Sequence, residues 1–265
     1  NDDGSVYTIK LREGVKFHNG KEMTSEDVVA SMNRWIEKSS KASALIGGSV
    51  FEAVDDYTVK LTVNKPASDI LMILANPAMF AAIYPKEVVD SATDEGITEY
   101  IGTGPYKMTE WKQDQYVKLD KYEDYQASNK ATTGLAGKKE AATDTLYFDV
   151  VTDASTRMAG AQNGQYDIAE EVPTDNYEEL SKDKNLKMDV TNGGTLNLFL
   201  NTTEGIMANE DMRQAVLAVL NCDDILYASY GNKDLYELNA GWMNLNDEQW
   251  STDAGKEYYN QNDEK

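Results

Sequence analysis

The sequence predicts an α/β protein, and three observations carry that reading. Segments with alternating apolar and polar residues are interleaved with segments whose apolar residues recur at helical spacing. The chain has 265 residues, 41% of them hydrophobic, enough for one large domain or two lobes with real cores. No apolar run approaches the roughly 20 residues that a membrane-spanning helix needs.

From Val6 to Arg12, Tyr7, Ile9 and Leu11 point one way and Thr8, Lys10 and Arg12 the other, which predicts a half-buried strand. Gly14 and Asn19-Gly20 are turn residues that tolerate positive φ. Thr24 is a helix N-cap, with Asp27 three residues on as the carboxylate of a variant capping box. Val28, Val29, Met32, Trp35 and Ile36 then form one apolar helix face. Taken alone, this is an ordinary strand–turn–helix unit without chemistry. Thr58 to Val63 reads as a second strand, and Asp69 to Ala75 as a short, very apolar helix ended by Asn76-Pro77. Pro85 opens another short helix through Val89, and residues 96–104 are irregular.

Gly102-Thr103-Gly104-Pro105-Tyr106 predicts a tight turn, followed by Trp111, a strand from Tyr116 to Lys121, and Tyr122 and Tyr125. Gly134, Gly137 and Lys138 have the wrong spacing for a phosphate-binding loop, and no Ser or Thr follows the lysine. Residues 128–143 read as a polar surface loop, and Thr145 to Val151 as a strand. Asp153 caps a helix that stops near Gly164, and Tyr166 to Ala169 reads as a short buried strand. Together these predict a βαβ-like unit with parallel pairing.

Thr174 to Lys182 is expected to be a helix capped by Thr174 or Asp175, and Leu186 to Val190 a strand. Gly193-Gly194 precede a continuous strand from Thr195 to Asn201. Asn209 caps a helix through Met212, Val216, Leu217 and Leu220. Cys222, the only cysteine, is expected to be a buried structural thiol. Beyond Gly231 there is no clear period, although Trp242, Trp250, Tyr258 and Tyr259 lie among polar residues there, before the polar end Asn262-Asp263-Glu264-Lys265.

Asp and Glu total 46 against 25 Lys and Arg, a net charge of −21, which argues against nucleic acid or an anionic membrane as the primary partner. With one histidine, His18, and one cysteine, no zinc set and no Cys–His pair is expected, and a Ser-His-Asp triad would have to use His18. A structural role for His18, in a turn beside Phe17 and Asn19, is the simpler reading. The acidic pairs Asp55-Asp56, Glu170-Glu171 and Asp223-Asp224 arise readily by chance among 46 acids and read as solvated faces. No catalytic residue, cofactor or metal site is expected.

Four blocks of this sequence resemble the extracytoplasmic substrate-binding proteins of peptide-type ABC importers, solute-binding protein family 5. They are YTIKLREGVKFHNGKEMTSEDVVAS from Tyr7 to Ser31, GTGPY from Gly102 to Tyr106, the strand and DASTR helix around Asp153 to Arg157, and the strand before the helix containing Arg213-Gln214-Ala215. They follow the family's order between Tyr7 and Gly231. One departure stands out: the family's acidic–basic pair near Asn221-Cys222 is missing, at a position read as structural.

The resemblance implies a periplasmic-binding-protein-like α/β fold (type II, family 5) with mixed sheet lobes. A substantial segment precedes the first block in that family and a second lobe follows the last, so the chain is expected to be truncated. Residues 1–95 would then be an inserted subdomain of lobe I, 96–193 part of its main body, and 194–265 the hinge crossing and the start of lobe II. The implied function is capture of di- or oligopeptides outside the cytoplasmic membrane, in the periplasm or lipid-anchored on its outer face, by a monomer that delivers them to ABC permease subunits. Backbone pairing along a strand can hold peptides with little regard to their side chains. Thr195, Leu196, Asn197 and Leu198 are therefore candidate ligand contacts, though a plain buried strand reads as well. Asn76, Met79 and Phe80 form a second candidate wall, with core packing as the alternative. A carboxylate-dependent hydrolase of peptides or glycans and a ligand sensor for a receptor are the rival readings.

Overall fold

The computed structural model describes residues 3–93, 95–191, 193–241, 243, 250–252 and 256. Of the residues discussed above, Trp242, Tyr258, Tyr259 and Asn262 to Lys265 lie outside this set. The chain forms two compact units, Asn1–Val150 and Val151–Lys265.

The first unit holds two three-stranded sheets. In one, β1 (Val6–Lys10), β2 (Val50–Asp55) and β3 (Thr58–Thr62) lie in the order β1-β3-β2. Both pairings are antiparallel, with Tyr7 and Phe51 each opposite Leu61, and Ile9 and Ala53 each opposite Val59. That register gathers Phe51, Val59 and Leu61 on one buried face, where Tyr7, Ile9 and Leu11 join them. The helix α1 (Ser25–Lys38) lays Val28, Val29, Met32, Trp35 and Ile36 on the same cluster, so the predicted helix face is the observed one. The helices α2 (Ser40–Ile46), α3 (Ile70–Ala75) and α4 (Lys86–Asp90) complete the layer, with Ile46, Ile70, Ile73 and Val88 buried.

Two of these elements have weak signals in the sequence. The strand β2 is an edge strand with only Phe51 buried, so its alternation is broken by exposed Val50 and Val54. The helix α2 is one short segment capped by the Ser39 hydroxyl, which accepts from the Ala42 N–H at 3.3 Å.

The second sheet of this unit is β4 (Tyr106–Lys112), β5 (Tyr116–Lys121) and β6 (Thr145–Asp149), in that order. Here β6 pairs antiparallel with β5, Val117 opposite Phe148 and Leu119 opposite Leu146. The expected parallel βαβ pairing is corrected: its second strand, residues 166–169, does not form, and β6 pairs only with β5 among the described residues.

The second unit is built from helices α5 (Ala154–Gln162), α6 (Tyr177–Leu180), α7 (Glu210–Val219) and α8 (Cys222–Tyr230). Their caps are those the sequence suggests: the Asp153 carboxylate accepts from Thr156 N–H at 2.7 Å, and the Asn209 amide oxygen from Met212 N–H at 3.1 Å. The segment read as one helix from Thr174 is a 3₁₀ turn, Thr174–Asn176, running into α6. Gly231, with φ 70°, ends α8 in the left-handed conformation.

Three predicted strands are not formed. Residues 166–169, 186–190 and 195–201 are irregular, and Ile168, Val190 and Phe199 are 82%, 53% and 77% exposed. A strand needs a ladder with a neighbour, and the described residues form no such ladder at these positions. The first of these segments folds back on α5 instead, with the N–H groups of Gln165 and Tyr166 both donating to the Gly160 carbonyl at 2.8 and 3.2 Å. Cys222 is half-buried at the first turn of α8, and not the buried thiol expected.

Candidate functional site

The turn after α3 is the first surface the sequence nominated. Its local order has a plain cause: the Asn76 side-chain oxygen accepts from Ala78 N–H at 2.9 Å and so caps the 3₁₀ turn Pro77–Met79. Met79 points inward, only 9% exposed within the core cluster. Phe80 points outward, 72% exposed. Asn76, Met79 and Phe80 thus share one turn with three different surroundings. The structure adds two residues of the apolar helix α3 to this surface. Leu71 and Met72, on the outer face of α3, are 63% and 70% exposed. Ile70 and Ile73 face the core, so a helix that is apolar all round leaves large apolar side chains in water.

This wall is held firmly against α1. The Trp35 indole N–H donates to the Met79 carbonyl at 2.9 Å. The Ser31 hydroxyl donates to the Tyr84 carbonyl at 3.2 Å and accepts from the Tyr84 N–H at 2.9 Å. Asp27, fully buried, accepts from Lys86 N–H and the Lys21 ammonium, each at 2.7 Å, and from Thr24 N–H at 2.9 Å. Burial drives the Asp27 pKa up, but the Lys21 ammonium and the two backbone donors outweigh it and hold the group below its ordinary value. Lys21 also reaches Glu87 at 2.7 Å, so one ammonium ties the start of α1 to α4.

The second nominated surface is Thr195 to Leu198, which follows Gly194 at φ 114°. Leu196 and Leu198 are 66% and 61% exposed. The Asn197 side-chain amide donates to the Thr195 carbonyl at 3.2 Å. Among the described residues, the backbone of 196–198 makes no ladder pairing. The two surfaces belong to different units.

His18 is occupied on both ring nitrogens. Gly102 N–H donates to Nδ1 at 3.2 Å, which puts the ring proton on Nε2, where it donates to the Gly104 carbonyl at 3.1 Å. The ring meets Tyr122 edge-on at 5.1 Å, and the Tyr122 hydroxyl donates to the Phe17 carbonyl at 2.7 Å. The GTGPY turn is thereby fastened to the Phe17–Gly20 turn inside the first block. Of the acidic pairs, Asp223 is bound by Lys233 and by the Tyr236 hydroxyl, each at 2.7 Å, and these partners lower its pKa. A general acid needs the opposite shift. Among the described residues no group of His, Cys, Asp or Glu is arranged to hold a metal ion.

The first sheet is covered by α1, apolar side chains stand exposed beside it on α3 and at Phe80, and His18 is engaged with the backbone. The chain belongs to the bacterial extracellular solute-binding proteins, family 5 Middle, whose pattern it matches over residues 1–265. It is 29% identical over 243 residues to a probable peptide ABC transporter periplasmic-binding protein of Sinorhizobium fredii, a match covering 89% of this chain and 45% of that protein. It is 32% identical over 228 residues to the glutathione-binding protein GsiB of Salmonella paratyphi A, covering 83% of this chain and 41% of that one. The crystal structure of NikA from Brucella suis in complex with Fe(III)-EDTA superposes with a TM-score of 0.71 at 26% identity, covering 92% of this chain and 50% of that one. The chain thus spans half or less of the length of these proteins. Proteins of this family are transport binding proteins, and no helix among the described residues is long and apolar enough to cross a membrane.

Proposed function

We propose that this chain serves the substrate-binding component of an ABC importer that captures peptides outside the cytoplasmic membrane and hands them to its permease as a monomer. The observation that carries this reading is the match to family 5 along the whole chain, with peptide and glutathione binders among its relatives. In this reading residues 1–95 form the inserted subdomain of a first lobe, 96–193 part of its body, and 194–265 the crossing into a second lobe.

Peptide contact is assigned to Thr195, Leu196, Asn197 and Leu198 through their backbone, and to the wall of Asn76, Met79 and Phe80. Two features support this. Backbone pairing with a peptide requires an extended segment with available N–H and C=O groups, and among the described residues the exposed run 196–198 has no ladder pairing to displace. Phe80 offers apolar surface for a side chain of the ligand, while Asn76 and Met79 set its position. Catalysis is left out of the assignment because the one lone pair that His18 could use as a base, on Nδ1, already accepts from Gly102 N–H.

The test is to isolate the protein from its native source and identify the co-purifying ligand by mass spectrometry. A peptide is expected. A metal chelate, haem or a sugar in its place overturns the peptide assignment, and hydrolysis of a bound peptide overturns the transport reading.

A further inference from the structure

The four arginines of this chain are not used alike. Arg12 donates to the Gln126 carbonyl at 2.9 Å. Arg157 donates to the carbonyls of Val151 and Glu171 at 2.7 and 3.1 Å, and Arg213 to those of Met207 and Ala208 at 2.8 and 3.0 Å. Each of these three fastens one piece of backbone to another. Arg34 is the exception: half-buried on α1, its side chain has neither an ion pair nor a hydrogen bond among the described residues.

Arg34 lines a groove of about 300 Å³ between α1 and the chain around Tyr84 and Ile97. Trp35, Tyr84 and Ile97 line it, and the helix positions of Arg34 and Lys38 border it. The walls are fixed before any ligand arrives. Trp35 is tied to the Met79 carbonyl, and Tyr84 to the Ser31 hydroxyl through both its N–H and its C=O. Lys38 has explanations without a ligand: it completes the last turn of α1, and it pairs with Glu37 at 3.0 Å. That pair is exposed on both sides and weak, so it yields readily to another anion. Nothing comparable accounts for Arg34. A guanidinium presents several donors in a planar fork that matches a carboxylate, and its apolar neighbours suit the body of the same molecule.

We propose that this groove binds a small organic carboxylate, with its anion on Arg34 and Lys38 and its flat apolar body on Trp35, Tyr84 and Ile97. The site lies wholly within the first unit and is separate from the peptide contacts proposed above, so its failure leaves that reading standing. The chain's net charge of −21 opposes any anion at long range, but at physiological salt charges beyond roughly 8 Å are screened. The local cations then decide.

The test titrates phenylacetate into this 265-residue chain and follows the indole N–H resonance of Trp35, identified with a Trp35→Phe variant. Phenylacetate should move that resonance saturably, and uncharged phenylacetamide should not. Arg34→Gln should weaken binding by about tenfold or more, as expected for losing a charged hydrogen bond, and Arg34→Lys should keep part of it. Equal shifts from phenylacetamide, unchanged affinity in Arg34→Gln, or no saturable shift would each overturn the site. The phenylacetamide arm uses the unaltered chain and decides even if a variant folds poorly.

Discussion

The two units of this chain are built from similar sequence patterns, yet they bury very different amounts of apolar surface. Phe17, Phe51, Val59, Leu61 and Ile70 are nearly inaccessible in the first unit, whereas Leu180 is the one buried apolar residue in the second among the described residues. The second unit still has well-capped helices at Asp153, Asn209 and Asn221. What its described residues lack is sheet. A helix satisfies its backbone within itself, so a cap and a period suffice to form it. A strand satisfies nothing alone, so an apolar alternating segment becomes a strand only where the chain also supplies its neighbour. Tyr7 and Ile9 have β3 opposite them, but among the described residues Leu196 and Leu198 have no strand opposite them.

The contrast breaks most sharply with a pair of matched truncations. Phe51→Ala removes a ring buried against Leu61 and α1 and should cost about 3–5 kcal/mol. Phe199→Ala removes a ring 77% exposed and should change stability by no more than about 0.5 kcal/mol. Urea unfolding of the two variants, with tryptophan fluorescence and circular dichroism recorded separately, measures both. Comparable losses would mean that the second unit has a core of its own.

Asp27 comes next, because it joins three elements of the first unit through one carboxylate. Asp27→Asn removes the charge that binds Lys21 and places an amide NH₂ against buried donors, so a loss of about 3 kcal/mol is expected. The pKa of Asp27 is lower in the folded chain than its ordinary value of 3.8. Its contribution is therefore complete above 3.8 and is lost as pH falls from there through the lower folded value, where the folded state must also take up the proton. A variant with the same acid limb as the parent between pH 5 and 2 would show that other carboxylates govern it.

These differences also explain what was legible in the sequence. Thr24 and Asp27 announce α1, and Gly14 and Gly20 take the positive φ values of 72° and 86° that their turn demands. Local rules of this kind carry α1, α3, α5 and α7 to within a residue or two. They fail for Tyr166 to Ala169, Leu186 to Val190 and Thr195 to Asn201, because pairing is a property of the partner strand. At the candidate wall, spacing marks the α3 turn but says nothing of which side faces water. Leu71 and Met72 were for that reason invisible as surface, and Met79 could not be told from Phe80. The use of Arg34 was hidden too, since a missing ion pair is a statement about neighbours in space.

Helix capping gives a finer measure of the second unit. If its order is mostly local, Asn209→Ala should cost about 1 kcal/mol, the usual value of an N-cap, and fray α7 without loosening the first unit. Amide hydrogen exchange read residue by residue separates the outcomes: faster exchange confined to residues 210–214 supports local order, and loss of protection at β3 would contradict it.

The smallest expected effect lies at His18 and concerns how the first unit is held to its own GTGPY turn. Burial pushes the imidazole pKa below 6.5; the bond to the Gly104 carbonyl works the other way, and nearby Lys107 lowers the pKa further. The charged form is disfavoured because Nδ1 accepts from Gly102 N–H, and a protonated Nδ1 would face that donor with another. Above pH 6.5 the ring is neutral in the folded and unfolded chain alike, so the clamp is intact. As pH falls from 6.5 through the lower folded value, the unfolded chain takes up the proton first and stability declines. The ring is partly open to solvent, which keeps the effect below that of the Asn209 cap. His18→Gln retains polar groups and does not titrate, so its urea midpoint should be level between pH 7.5 and 5 while the parent's falls. A parallel decline in the variant would place the pH sensitivity elsewhere. A level parent would mean that water, and not the Gly102 N–H, sets the state of the ring.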